Sequence, residues 1–246
     1  MPVLRAERLV KSFNSRVVVR ELSIEVRSGE IVGLLGRNGA GKTTTFQMMV
    51  GLVRPDSGTI SLDDLDISRM TTYRRAVHGI TYLPQEGSVF LKATVEENLR
   101  LILEILPRTR KNWKATAANL LEEMGLLDLA GQSADSLSGG ERRRLEISRA
   151  LALDPKFLLL DEPFTGIDPL TILELQKIMI RLRDKGIGIV LSDHNVRDTF
   201  KVVTRATIID GGEVLVEGPP AAVAADGKAK EKFLGKSFEL GAEVEP

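Results

Sequence analysis

Apolar and polar positions alternate along Val3 to Val10 and again along Val17 to Val26, with a polar pair, Asn14-Ser15, between them. That period, with its β-branched content, predicts two strands joined by a turn. Ile31 to Leu35 is a short apolar run of the buried-strand type, and Thr43 to Gly51 reads as a helix ended by its glycine. A turn at Arg54-Pro55-Asp56-Ser57-Gly58 leads to a strand over Thr59 to Leu62, and Ile80 to Leu83 forms another, stopped by Pro84. From about Val95 the spacing lengthens: Leu99, Ile102, Leu103 and Leu106, then Leu120, Leu121 and Met124, fall on helical faces. The polar, basic stretch Pro107 to Lys114 reads as a solvated loop between them, and Leu145 to Leu153 as a further helix. Phe157 to Leu160 is a continuous apolar strand, Leu170 to Arg183 an amphipathic helix, and Ile187 to Leu191 a strand. Ala206 to Ile209 and Glu213 to Glu217 form a hairpin across Gly211-Gly212, and a terminal helix starts near Pro219-Pro220.

Strands alternate with helices on either side of an all-helical block, which predicts an α/β core interrupted by a helical lobe. The core takes residues 1–85 and 156–246, the lobe residues 86–155, and residues 219–246 form a helical tail.

Gly36-Arg37-Asn38-Gly39-Ala40-Gly41-Lys42-Thr43 satisfies G-x-x-x-x-G-K-[ST] between a predicted strand and a predicted helix. Glycines let main-chain N–H groups wrap phosphate oxygens, and the helix start adds unpaired N–H groups and a positive dipole end. Lys42 supplies a point charge to the β- and γ-phosphates, the Thr43 hydroxyl suits Mg²⁺, and Thr44 completes the ATP-binding set. Phe157 to Leu160 ends in Asp161-Glu162-Pro163. Ligands of open α/β sheets sit at the carboxyl ends of strands, so Asp161 is placed to hold Mg²⁺ through its water shell and Glu162 to act as general base toward water.

Leu137-Ser138-Gly139-Gly140-Glu141 carries a capping box, Ser138 with Glu141 three positions on, so a helix with an anion-seeking start is expected there. With the phosphate loop and the acidic strand end, this stretch makes the whole chain resemble the nucleotide-binding subunits of ABC transporters. The resemblance implies a P-loop NTPase (RecA-like) core with an antiparallel β-subdomain and an inserted α-helical subdomain. It implies that Ser138, Gly139 and Gly140 grip the γ-phosphate of ATP bound to a second copy of the chain. Gln85 takes the place of a glutamine that senses Mg²⁺ and water and links core to lobe. His194 takes that of a histidine contacting the γ-phosphate, and Asp168, in Gly166-Ile167-Asp168, that of an aspartate communicating across the dimer. Phe13 stands where the family stacks an aromatic, commonly Tyr, on adenine; the alternative is a core Phe of the β-subdomain. His78 matches nothing.

Longer stretches, among them Asp161 to Pro169, Ser192 to Thr199 and Phe233 to Leu240, are most similar to the ATPases of lipopolysaccharide export. These imply a homodimer beneath transmembrane permease subunits resembling LptF and LptG, held peripherally on the cytoplasmic face of the inner membrane. Branched-chain amino acid importers are the nearest rival within the family, and a soluble ATPase of iron–sulfur cluster assembly is the rival of another class. The apolar segment Gly87-Ser88-Val89-Phe90-Leu91 follows Gln85, and Phe90 is expected either to pack on a partner's short cytoplasmic helix or to belong to the lobe's core.

Composition narrows the field further. Lys+Arg and Asp+Glu are both 34, which argues against a nucleic-acid partner. Cysteine is absent, so no disulfide or thiolate metal site is expected. No signal-like start and no apolar run of roughly 18 to 20 residues is present, so membrane contact is expected only through partners.

Overall fold

Two sheets organise the computed structural model, which describes residues 1–240. Val3–Phe13 (β1) and Arg16–Arg27 (β2) pair antiparallel across the Asn14-Ser15 turn, where both residues take positive φ, 47° and 63°. Ser57–Leu62 (β4) and the two-residue Leu65–Asp66 (β5) complete this antiparallel sheet in the order β2-β1-β4-β5. In the second sheet, Ile31–Gly36 (β3), Ile80–Leu83 (β6), Phe157–Asp161 (β7), Gly188–Ser192 (β8) and Arg205–Asp210 (β9) are parallel, and Glu213–Gly218 (β10) returns antiparallel through Gly211-Gly212. Their order is β10-β9-β3-β8-β7-β6.

The parallel strands read as unbroken apolar runs because both faces are covered. In β7, Phe157 and Leu159 join a core shared with the antiparallel sheet and helix Lys42–Val50 (α1). Leu158 and Leu160 face the other way, into a core shared with Val95–Leu103 (α3), Trp113–Glu123 (α4), Gly139–Leu151 (α5) and Pro169–Asp184 (α6). Further helices are Thr72–Val77 (α2), Val196–Phe200 (α7) and Pro220–Ala225 (α8), the last followed by a single turn, Gly227–Ala229 (α9), and a short π-helical turn, Lys230–Leu234. Residues 241–246 of the predicted tail lie outside the described residues. Among the described residues no helix is long and apolar enough to cross a membrane.

Boundaries differ from the pattern in identifiable ways. The basic loop ends at Asn112, since Trp113 and Lys114 already belong to α4; Trp113 packs on the core with Arg100 and Lys114 over its ring. Leu106 lies beyond α3 and Leu153 beyond α5. The short β5, α2 and α7 had no periodic signal, being too brief for one. Arg75 of α2 shows what holds such an element: buried, it donates to Met48 O at 2.6 Å and Met49 O at 2.8 Å, capping the end of α1. Burial pulls its pKa down to about 10.

Candidate nucleotide site

Parallel strands put the site in one place. β3, β8 and β7 are neighbours with a common direction, so the Gly36–Thr43 loop, the Ser192–His194 turn and the Asp161-Glu162 end emerge on one edge of the sheet. α1 opens directly from the loop. Its N-cap, Gly41, has φ 106°, and a Cβ there would lie 2.9 Å from Val18 O, so both conformation and space require glycine. No side chain caps the first turn, which leaves its N–H groups and positive end open to an anion. Lys42 is buried and folds back over the loop, donating to Gly36 O at 2.7 Å and Arg37 O at 3.2 Å. Burial lowers its pKa, while Glu162, Asp161 and Asp193 favour the charged form.

A cavity of about 630 Å³ lies over this helix start, lined by Asn38, Gly39, Gly41, Lys42, Thr43 and Thr44 on one side and Gln85, Glu162, Thr165 and His194 on the other, with Val18. Its size suits a small molecule. Gly36, Arg37 and Ala40 are not among the lining residues: Gly36 and Ala40 are buried and Arg37 is exposed.

Glu162 is the point of convergence. Its backbone takes φ 48°, unusual for a residue with a side chain, and is held by its N–H donating to Ser192 O at 2.8 Å. Its side chain is 13% exposed. Oε2 accepts from Gln85 Nε2 at 2.8 Å and from the Thr165 hydroxyl at 3.2 Å, and His194 Nδ1 stands 3.5 Å away. Asp193, fully buried, accepts from the N–H groups of Phe164 (2.9 Å) and Asn195 (2.8 Å), tying the turn after Glu162 to the turn carrying His194. Burial raises the Asp193 pKa against those hydrogen bonds. Asp161 is 1% exposed, and its carboxylate accepts from Ser192 Oγ and from the Tyr82 hydroxyl.

The donor set suits magnesium rather than a softer ion. Of the three expected ligands, Thr43 and Gln85 line the cavity, while Asp161 is buried and is not among the lining residues; a hydroxyl, an amide oxygen and a carboxylate are hard donors of the kind that suits a cation keeping most of its water beside phosphates. Among the described residues no group of three or more His, Cys, Asp or Glu could hold a metal alone.

The Ser138–Glu141 turn does not line this cavity. Both halves of its capping box are present: Ser138 Oγ accepts from Glu141 N at 3.2 Å, and Glu141 Oε2 accepts from Ser138 N at 2.8 Å and from Ser138 Oγ at 2.7 Å. The hydrogen bonds from Ser138 hold the Glu141 carboxyl below its ordinary pKa. Gly140 is required by packing, since a Cβ would sit 2.3 Å from Thr171 Cγ2. Thr171 belongs to α6, whose N-cap is Asp168, accepting from Thr171 N at 3.0 Å and Thr171 Oγ1 at 2.6 Å.

The segment after Gln85 is clamped by α5. Buried Arg143 donates to Glu146 at 2.7 Å and to the main chain of Pro84 and Asp161, while Glu146 accepts Ser88 N at 2.9 Å. Arg149 donates to Ser88 O and lies 4.7 Å from the centre of the Phe90 ring. Phe90 is 51% exposed, so it is not a core residue of the lobe; Asn98 holds its main chain at both N–H and C=O. Phe13 is 44% exposed with Lys11 over its ring, so it is not a core residue of the antiparallel sheet, and it does not line the cavity.

Sequence reasoning missed Thr165, Tyr82, Ser192, Asp193 and the Arg143–Glu146 pair. Thr165 had a signal, three residues after Glu162 in a turn, and Arg143 with Glu146 is an i,i+3 pair on α5 whose burial the sequence did not show; Tyr82, Ser192 and Asp193 find their partners across strands and gave none.

Residues 19–165 match the family model described as ABC transporter. The lipopolysaccharide export system ATP-binding protein LptB of Haemophilus influenzae is 49% identical over 241 residues, covering 98% of this chain and all of that one. The protein of the same description from Escherichia coli (strain K12) is 47% identical over the same coverage. Among solved structures, an ATP-binding cassette of an ABC transporter in its ADP conformation superposes with a TM-score of 0.86 at 28% identity, over 96% of this chain and 99% of that one.

Proposed function

Because the chain belongs to the ABC transporter family, we propose that it is the ATP-hydrolysing subunit of a lipopolysaccharide exporter, working as a homodimer under permease subunits of the LptF and LptG kind. The observation that carries the chemistry is the convergence of Gln85, Thr165 and His194 on Glu162, facing the uncapped start of α1 across one cavity.

The α1 start and Lys42 receive the β- and γ-phosphates, which draws Lys42 away from its own loop carbonyls. Thr43, Gln85 and Asp161 would hold Mg²⁺, which would supply positive charge to the phosphate oxygens. Glu162 orients the attacking water and takes its proton. Gln85 and His194 exchange their positions beside Glu162 for the water and the γ-phosphate, and Phe13 offers its exposed ring to the adenine. Ser138, Gly139 and Gly140 of a second copy complete the γ-phosphate's surroundings, and Asp168 carries closure between the copies.

Coupling runs through the segment 85–90. Its main chain is fixed to α5 by Glu146 and Arg149, so a shift of Gln85 is transmitted to Phe90. Phe90 packs on a cytoplasmic helix of the permease, and the lobe of residues 86–155 turns with it. The protein therefore sits on the cytoplasmic face of the inner membrane and contacts the bilayer only through partners.

Co-purification tests the assignment. The chain, expressed in its own host, brings down integral membrane proteins and its ATPase stimulates lipopolysaccharide release from reconstituted vesicles. Recovery of soluble scaffold proteins in their place overturns it. Phe90→Ala lowers recovery of the membrane partners while leaving ATP binding unchanged; intact assembly and export in that variant ends the coupling role.

A further inference from the structure

Asp161 ends β7 with its carboxylate almost wholly out of solvent, and both oxygens are held by hydroxyls from the flanking strands. Ser192 stands opposite it in register on β8 and donates to Oδ1. Tyr82, on β6 at the other side, donates its phenolic proton to Oδ2 at 3.2 Å. Both donors are neutral hydroxyls, and each oxygen keeps a second lone-pair direction. The two bonds fix the plane of the group from opposite sides.

Tyr82 also reaches the phosphate-loop helix. Its ring is half-buried and stacked on Phe46 of α1, centroids 6.4 Å apart at 27°. Phe46 lies three residues beyond Thr43 on that helix. The phenol is therefore braced by the element that presents the Thr43 hydroxyl and bonded to the element that presents the Asp161 carboxylate. A buried tyrosine hydroxyl needs some partner. A purely structural role requires only that it find one; here the partner is the acid at the strand end, and a second hydroxyl matches it on the opposite oxygen.

We propose that Tyr82 and Ser192 are positioning residues for magnesium: they set the orientation of the Asp161 carboxylate relative to Thr43, and so the affinity of the nucleotide-loaded site for a divalent cation. This rests on the reading that Asp161 and Thr43 hold the metal. Outer-shell partners of metal-holding groups govern affinity because a misaimed carboxylate must be reoriented at each binding event.

The test measures Mn²⁺ binding to the full-length, ADP-loaded protein by electron paramagnetic resonance, beside ADP affinity in EDTA. Tyr82→Phe and Ser192→Ala each weaken Mn²⁺ about 10-fold, Ser192→Thr stays within about twofold of wild type, and ADP affinity in EDTA holds within about twofold throughout. Asp161→Asn is the reference that must lose the metal. If it does so while Tyr82→Phe and Ser192→Ala bind Mn²⁺ like wild type, the positioning role is overturned and the metal reading stands. If Asp161→Asn keeps its Mn²⁺, the metal reading itself falls and this inference with it. Metal-free ADP affinity falling in step with Mn²⁺ affinity in Tyr82→Phe means a displaced α1, which also overturns the proposal.

Discussion

The starts of α1 and α5 are both glycine-flanked helix N-termini, yet they are finished differently. α1 begins without a side-chain cap, under a lysine and against three strand ends that deliver Gln85, Glu162 and His194 to its cavity. α5 begins with a complete capping box, Ser138 with Glu141, and none of its first residues faces that cavity. An open end beside converging acids can bind and position a substrate within one chain. A capped end away from them is, on the proposed reading, the half offered to a second copy, where Ser138 would exchange its bond to the Glu141 carboxylate for an incoming oxygen. On the proposed reading, the contrast accounts for a site divided between two copies of the chain, and an isolated monomer is expected to bind ATP and hardly hydrolyse it.

Ser138→Arg breaks the comparison most severely. Filling the α5 start with a long cationic side chain abolishes steady-state ATPase in the assembled complex, while ATP affinity of the isolated chain stays within about twofold, since α1 is untouched. Loss of monomer binding in this variant would mean that the two helix starts are not separate. Glu162→Gln acts on the α1 side alone. It retains ATP and stabilises the closed dimer, visible by size-exclusion chromatography, while turnover falls about 10²- to 10⁴-fold, the usual weight of a general base. Turnover at the wild-type rate sinks the assignment of Glu162. Thr165→Val, isosteric but without the hydroxyl bonded to Glu162, gives the smallest effect. Loss of one partly exposed hydrogen bond to a carboxylate lowers kcat by about 3- to 10-fold with KM for ATP unchanged, and Thr165→Ser restores the rate. A parallel change in KM would place Thr165 in binding rather than in aiming the acid.

Much of this was legible along the chain because the signals are local. Alternation marked β1 and β2, and both-face burial marked β7 as an unbroken apolar run. The spacing of Ser138 and Glu141 anticipated a capping box that the structure closes in both directions. Phe90 and Phe13 show where legibility stops. Each had a core alternative, and only the packing of neighbouring elements leaves both rings in solvent.

Residue spacing by itself determined the phosphate loop and the helix start at Ser138, whose hydrogen bonds close within a few residues, and the acidic strand end, which shows as an unbroken apolar run stopping at two carboxylates. Tertiary structure alone decided that Gln85, Thr165 and His194 share one oxygen of Glu162, that Tyr82 and Ser192 hold Asp161, and that Asp193 ties two turns together. Apart from Thr165, which shares a turn with Glu162, and Asn195, two residues beyond Asp193, these partners are separated in sequence. They meet because β6, β7 and β8 lie side by side in register, and strand order and register are set by both-face burial of the whole sheet rather than by any one segment.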